Sequence, residues 1–207
     1  MILLAISTSA KDPSAAVLTP DGEIILKKDE SGKPHSVSLM PLIDELLFGT
    51  GIELSDLDGI CVDIGPGSFT GVRIGVSAAN AMAEALKKPV YPVSSLAALR
   101  HCAPSEKGTV LCMTDARNGN GYAAIYENGK CVLEPCACVQ KEIIENLIGD
   151  YTLIGDCMGH TDSVNAELII KQALFTKPVQ YAVPLYLRPS QAERARKMKI
   201  NRTDSGK

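Results

Sequence analysis

Residues 65–75 read GPGSFTGVRIG, between a strand-like run at residues 60–64 and a long apolar helix pattern that begins near Thr70. Glycines in such a turn let the backbone bend sharply and approach a neighbouring segment closely. Ser68 or Thr70 can cap the helix, and the free N–H groups at a helix start can bind an anion. The residues favour a capped tight turn over a phosphate or carboxylate site, and both interpretations stay open. The loop is neither a Walker A motif, since no Gly-Lys-Ser/Thr follows, nor a dinucleotide fingerprint, since its glycine spacing differs.

The composition predicts a globular protein of one large or two small domains. The 207 residues are 45% hydrophobic with a net charge of −3, so the bulk of the surface is not suited to nucleic acid. No apolar run is long enough to span a membrane, and the N-terminus lacks the basic region of a signal peptide. Seven cysteines without a CxxC motif, among them Cys61, Cys112 and Cys131 in apolar runs, indicate core residues in a reducing cytoplasm. A metal or redox role for Cys136-Ala137-Cys138 is the less favoured alternative.

Hydrophobic periodicity predicts one supersecondary plan twice. In the first half we expect strands at 2–8, 14–19, 23–28, 59–64 and 90–93, and helices at 36–48, at 70–87 and after a cap at Ser94 or Ser95. In the second half we expect strands at 109–115, 121–126, 131–134 and 152–155, and helices at 139–148 and 162–174. The predicted fold is therefore α/β, with two similar lobes that are each a mixed β-sheet flanked by helices. The predicted divisions are 1–103, 104–187 and a basic segment at 188–207.

The predicted helix at 70–87 carries more apolar surface than one sheet can cover. On a helical wheel its apolar or small residues span roughly 220°, against about 100° for an ordinary surface helix. The helix at 36–48 can cover part of that arc, and the many alanines allow close helix approach. Either both helices are buried within one domain, or the pair exposes an apolar strip that docks a partner.

Several motifs in chain order resemble one family. They are the glycine stretch itself, ILLAISTS at residues 2–9, His35-Ser36 with Leu39-Met40-Pro41, VSSL at 93–96, Asp115-Ala116-Arg117, and PLYLR at 184–188. Together they are similar to the TsaB (YeaZ) family, bacterial proteins needed to make threonylcarbamoyladenosine in tRNA. That resemblance implies two actin-like, ribonuclease H-like lobes.

The resemblance also implies a role without catalysis, in the cytoplasm. Such proteins are thought to pair through their helical face with the transferase subunit TsaD and with themselves as homodimers, and to work with the ATPase TsaE. The interface that this implies here consists of Leu39, Met40, Ile43, Leu47, Val72, Ile74, Ala78, Ala81, Met82 and Ala85. No catalytic residue and no metal ligand is expected.

The chain departs from the family pattern at Ser7, where relatives often have aspartate, and at Asn120, near which they commonly have glutamate. A neutral hydroxyl holds Mg²⁺ poorly compared with a carboxylate, so independent ATP hydrolysis is not expected. Weak ATP or ADP binding stays open. Its candidate contacts are Ser7, Thr8, Gly65, Gly67, Ser68, Thr70 and Arg73.

The resemblance thus implies a non-catalytic scaffold or activator subunit of the complex that makes threonylcarbamoyladenosine in tRNA, and two other functions compete with this hypothesis. One is a nucleotide-dependent enzyme that acts alone through the cleft between the lobes. The other is a glycoprotease-like peptidase, which is the least favoured. His35, His101 and His160 form no metal-binding pair, and a Cys157–His160 pair lacks a third, orienting group.

The last segment, residues 188–207, holds seven basic residues against two acidic ones. Such a segment can contact tRNA phosphates or can be a frayed, solvated end. It contains no aromatic residue that could stack on a base.

Overall fold

The computed structural model describes residues 1–188, and residues 189–207, which hold nearly all of the predicted basic segment, lie outside it. The strands are β1 (Leu3–Ser7), β2 (Ser14–Leu18), β3 (Ile24–Lys28), β4 (Gly59–Asp63), β5 (Val90–Val93), β6 (Thr109–Asp115), β7 (Asn120–Glu127), β8 (Lys130–Val139) and β9 (Tyr151–Gly155). The α-helices are α1 (His35–Thr50), α2 (Phe69–Leu86), α3 (Ser95–Leu99), α4 (Gln140–Glu145) and α5 (Ala166–Ala173).

The strands form two sheets that repeat one plan. The first has the order β3-β2-β1-β4-β5 and the second the order β8-β7-β6-β9. In each sheet, the strand that comes first in the chain, β1 or β6, pairs antiparallel with the next strand, β2 or β7. It pairs parallel with the fourth strand in chain order, β4 or β9. This is the ribonuclease H-like arrangement, so the predicted duplication of a mixed sheet with helices is confirmed.

Five layers stack in the molecule. Helices α1 and α2 cover one face of the first sheet, and α3 and α5 lie between the two sheets. Helix α4 packs on the far face of the second sheet. Strands β1, β2 and β4 are consequently buried along their whole length. The predicted division at residue 104 falls between the sheets, yet α5 follows the second sheet in sequence and packs on β1 and β2, so the two halves share a core.

Some local predictions need correction. Strand β8 continues to Val139 rather than ending at 134, and α5 begins at Ala166 rather than 162, where Asn165 caps it by accepting a hydrogen bond from the backbone N–H of Leu168. Ser94 holds the cap position of α3, but neither it nor Ser95 makes a side-chain cap bond. Cys61 and Cys112 are buried as predicted, whereas Cys131 is exposed, because it lies on the edge strand β8.

The glycines of α2 let the helix lie directly against the turn that follows β1. A Cβ at Gly71 would lie 1.9 Å from the carbonyl oxygen of Thr8, and one at Gly75 would lie 2.3 Å from the Thr8 hydroxyl. That hydroxyl donates a 2.7 Å hydrogen bond to the carbonyl of Gly71. The glycine-rich stretch therefore serves close packing between α2 and the first strand.

None of the helices within residues 1–188 combines the length and the apolar content that crossing a lipid bilayer requires.

We expect Gly71→Ala to lower the free energy of unfolding by about 3 kcal/mol or more, because the added methyl group meets a backbone atom that cannot rotate away. Urea denaturation measures this loss. Gly49→Ala is the matched control, since nothing lies within 4 Å of its added Cβ. Gly49 lies in the last turn of α1, so this substitution should change the stability by less than about 1 kcal/mol. Equal effects of the two substitutions would refute the packing role of Gly71.

Candidate functional site

The carboxylate of Asp63, at the end of β4, is fully buried and accepts four hydrogen bonds. Its Oδ2 accepts from the hydroxyls of Ser7 at 2.8 Å and Ser9 at 2.5 Å. Its Oδ1 accepts from the hydroxyl of Ser95 at 2.5 Å and from the backbone N–H of Gly65 at 2.9 Å. The Asp63 side chain thus connects three segments by hydrogen bonds: the end of β1, the start of α3, and residues 65–68 between β4 and α2, here called the glycine loop.

Burial raises the pKa of Asp63, and the three hydroxyls and the Gly65 amide oppose that shift. The sequence prediction did not single out this residue. Its only signal was an acidic residue within the apolar run 60–64, where a charge is costly unless it is hydrogen-bonded.

The glycine loop forms the capped tight turn that the sequence favoured. Ser68 is the N-cap of α2, and its hydroxyl accepts a 3.2 Å hydrogen bond from the backbone N–H of Gly71. The backbone N–H of Ser68 donates to the carbonyl of Ser9 at 2.8 Å, which fixes the loop against the turn after β1.

A cleft of about 720 Å³ lies between the two halves of the molecule. Of the predicted phosphate contacts, Gly67, Ser68 and Thr70 line it. Ser7 and Thr8 are buried and donate their hydroxyl protons to Asp63 and Gly71, so neither faces the cleft. Gly65 is also buried, and Arg73 does not line the cleft.

Residues 179–188, here called the C-terminal strap, contact a stripe of polar side chains on α2, namely Arg73, Asn80 and Glu84. Asn80 makes two hydrogen bonds with the backbone of Ala182, at 2.8 and 3.0 Å, and Glu84 accepts one from the Tyr181 hydroxyl at 2.7 Å. The Nε–H of Arg73 donates to the Tyr186 hydroxyl at 2.9 Å, and its guanidinium lies 4.5 Å from the ring centre of Phe69. Arg73 is therefore engaged by the strap rather than by the cleft.

The strap ends on the second sheet. Arg188 donates hydrogen bonds to the side chain of Asn120 at 3.1 Å and to the carbonyl of Cys138 at 3.2 Å. Asn120 in turn donates to the carbonyls of Arg117 and Asn118, in a turn where both of these residues have positive φ. The side-chain amide of Asn120 thus stabilises this turn by donating two hydrogen bonds. A carboxylate has no N–H donors and could not make these bonds.

A strip of exposed or half-buried apolar residues runs along α1 and α2. Phe48 is 91% exposed and Met40 52%, and Val37 lies one turn before Met40. On α2, Ala81 and Ala85 are exposed, and Ile74, Ala78 and Met82 are half-buried beside α1. We call these eight residues the apolar strip. The sequence prediction missed Val37 and Phe48, although both follow the helical spacing of Met40.

The other four predicted interface residues belong to the core. Leu39, Ile43, Leu47 and Val72 are almost completely buried, since they pack between the helices and the first sheet. They offer no surface to a partner in this conformation, so that part of the predicted interface needs correction.

Cys157 and His160, the pair considered from the sequence, differ in burial, and His35 contacts the backbone. His35 begins α1, and its Nε2 lies 2.9 Å from the carbonyl oxygen of Lys11. The Cys157 thiol is buried against the carbonyl of Met113, and burial raises its pKa to about 12, whereas His160 is exposed. Within residues 1–188, no group of three histidine, cysteine or acidic side chains converges to hold a metal ion.

Two ribonuclease H-like sheets around one cleft define a two-lobed protein of the actin-like class. A family model described as "TsaD: tRNA N6-adenosine threonylcarbamoyltransferase" matches residues 26–150. The TsaB protein of Bacillus subtilis is 30% identical over 93% of this chain and 96% of its own length, and that of Escherichia coli is 32% identical over 75% and 71%. The structure of YeaZ from Pseudomonas aeruginosa superposes with a TM-score of 0.76 at 27% identity, over 90% of this chain and 99% of that one. The chain belongs to the TsaB (YeaZ) family of tRNA threonylcarbamoyladenosine biosynthesis proteins.

We expect Asp63→Ala to lower the free energy of unfolding at pH 7 by about 3 kcal/mol or more, because buried donors lose their shared acceptor. Asp63→Asn should cost less, since an amide keeps one oxygen acceptor and its NH₂ group can donate to a serine hydroxyl. Urea denaturation of both variants measures the difference. Equal losses would contradict the shared-acceptor role.

The pH dependence gives a second measurement. Burial raises the pKa of Asp63 above its ordinary value of 3.8, so the folded state binds this proton more tightly than the unfolded chain does. The stability of the unmodified protein relative to Asp63→Asn should therefore fall as the pH rises from about 3.8 through the raised pKa, and stay constant above it. A difference that instead grew with pH would mean that the pKa is lowered.

Proposed function

We propose that this chain is a non-catalytic subunit of the complex that makes threonylcarbamoyladenosine in tRNA, and that its apolar strip binds the transferase subunit TsaD. The single observation that carries the proposal is the exposure of Phe48, Met40, Ala81 and Ala85 on the two helices that cover one face of the first sheet. Large exposed apolar side chains grouped on one surface of a folded protein are typical of an interaction site.

The composition of the strip suits a helical partner. Small residues on α2 let a partner helix approach closely. The large side chains of Phe48 and Met40 on α1 can act as anchors in partner pockets, as aromatic residues often do at interfaces.

The absence of a catalytic role is supported by the surroundings of Ser7. Its hydroxyl donates to the buried Asp63, and Thr8 donates to Gly71, so neither is directed toward a phosphate in the cleft. A scaffold requires no reactive group at this position.

The proposal extends to the rest of the complex. The chain would work in the cytoplasm with TsaD and the ATPase TsaE, and would contact tRNA through TsaD or through its basic residues 188–207. Two copies could also pair through the same apolar strip, in which case a homodimer would compete with the TsaD complex.

We expect Phe48→Glu to weaken TsaD binding by about tenfold or more, because a carboxylate would replace an aromatic anchor. Ile148→Glu is the matched control, since Ile148 is 98% exposed and lies outside the strip. Size exclusion with light scattering, using TsaD from the same cell, gives the stoichiometry, and calorimetry gives the affinity.

Two results would refute the docking site. One is the absence of any complex even with TsaE, ATP and tRNA present. The other is an equal loss of affinity for Phe48→Glu and Ile148→Glu.

A nucleotide-dependent function is the alternative, and one observation favours it. The hydroxyl oxygen of Thr114, on the wall of the cleft, is buried and has no hydrogen-bond partner among residues 1–188. If a nucleotide binds there, Thr114→Val should weaken ADP binding several-fold, because a ligand hydrogen bond is lost. Thr109→Val, on the same strand outside the cleft, should not. Calorimetry with ADP tests this, and equal affinities for both variants would remove the alternative.

A further inference from the structure

A second cavity, of about 400 Å³, shares no lining residue with the cleft or the apolar strip. It lies where α3, β7, β8 and the end of α5 meet, and its lining includes Ser94, Arg100 and Glu134. Its volume is within the range of small-molecule sites.

Arg100 brings an incompletely paired positive charge to this cavity. Its side chain is only 12% exposed, and its one ion-pair partner among residues 1–188, Glu106, is largely exposed and 3.5 Å away. The Nε–H donates to Gln172 at 3.1 Å, and Nη1 donates to the Gly129 carbonyl at 3.3 Å. Within the described residues, Nη2 has no hydrogen-bond partner. Nη2 is therefore free to donate to a ligand in the cavity, and a guanidinium pairs well with a carboxylate.

Ser94 lines the cavity, and its hydroxyl has no hydrogen-bond partner within residues 1–188. The oxygen is shielded in this conformation, and a change of side-chain rotamer is what would present it to a ligand. A buried, unsatisfied hydroxyl destabilises a protein, so a ligand that binds it gains that energy. A hydroxyl and a guanidinium on one cavity are the donors that a carboxylate group needs.

Glu134 and the apolar walls narrow the class of ligand. A carboxylate in the same lining disfavours a dianion such as phosphate and suits an ammonium group. Ala97, Pro135 and Phe175 supply the apolar part of the lining. We infer that this cavity binds an apolar α-amino acid, with its carboxylate on Arg100 and Ser94 and its ammonium group on Glu134. The inference does not depend on the proposed complex.

Calorimetry on the full chain with three probes tests the site. L-leucine carries both charged groups, 4-methylpentanoate lacks the ammonium group, and 3-methylbutylamine lacks the carboxylate. We expect leucine to bind more tightly than either of the others. Equal binding of all three, or no leucine binding at millimolar concentration, would overturn the inference.

Two variants separate a binding role from a structural one. Ser94→Ala should weaken leucine binding by about tenfold without lowering the melting temperature, because the hydroxyl has no partner in the free protein. Glu134→Gln should weaken leucine binding but not that of 4-methylpentanoate. Glu127→Gln, on the neighbouring strand outside the cavity, should change neither. Unchanged leucine affinity in both cavity variants would refute the assigned contacts.

Discussion

The buried carboxylate of Asp63 fixes the relative positions of the segments that meet at the cleft. Three serine hydroxyls and one backbone amide converge on it from β1, the glycine loop and α3. The glycine loop leads directly into α2, so the same hydrogen bonds set where that helix begins. A hydroxyl at position 7 suits this arrangement, since it donates to the carboxylate where an aspartate would repel it.

Helix α2 is held on every side but one. Its glycines contact the turn after β1, its buried residues pack on the first sheet, and α1 lies beside its half-buried face. The C-terminal strap makes hydrogen bonds with its polar side chains Asn80, Glu84 and Arg73. What stays open is the row of alanines in the apolar strip, on a helix whose position is already fixed. A rigid surface of this kind loses little conformational entropy when it binds a partner.

Local sequence patterns predicted most of the fold and less of the site. Alternation and helical periodicity gave the strands and helices within a few residues, because their apolar faces are read directly from spacing. The serine contacts of Asp63 were not predictable in this way, since they join residues up to 56 positions apart. The strap has no periodic pattern, so its pairing with α2 could not be inferred. Leu39 and Val72 are buried between the helices and the first sheet, whereas Phe48 is exposed. The spacing of apolar residues along the sequence does not specify how the helices are placed on the sheet, so it did not separate these cases.

The position of α5 has a consequence for how the chain folds during synthesis. The face of the first sheet formed by Leu3, Ala5 and Cys61 is covered by α3 and α5, and α5 is made only after the whole second sheet. The N-terminal half therefore leaves the ribosome with one side of its central strands only partly covered, and cannot complete its core until residues 166–173 have emerged. Until α5 has emerged, α3 alone is available within residues 1–165 to shield that face of the sheet from solvent.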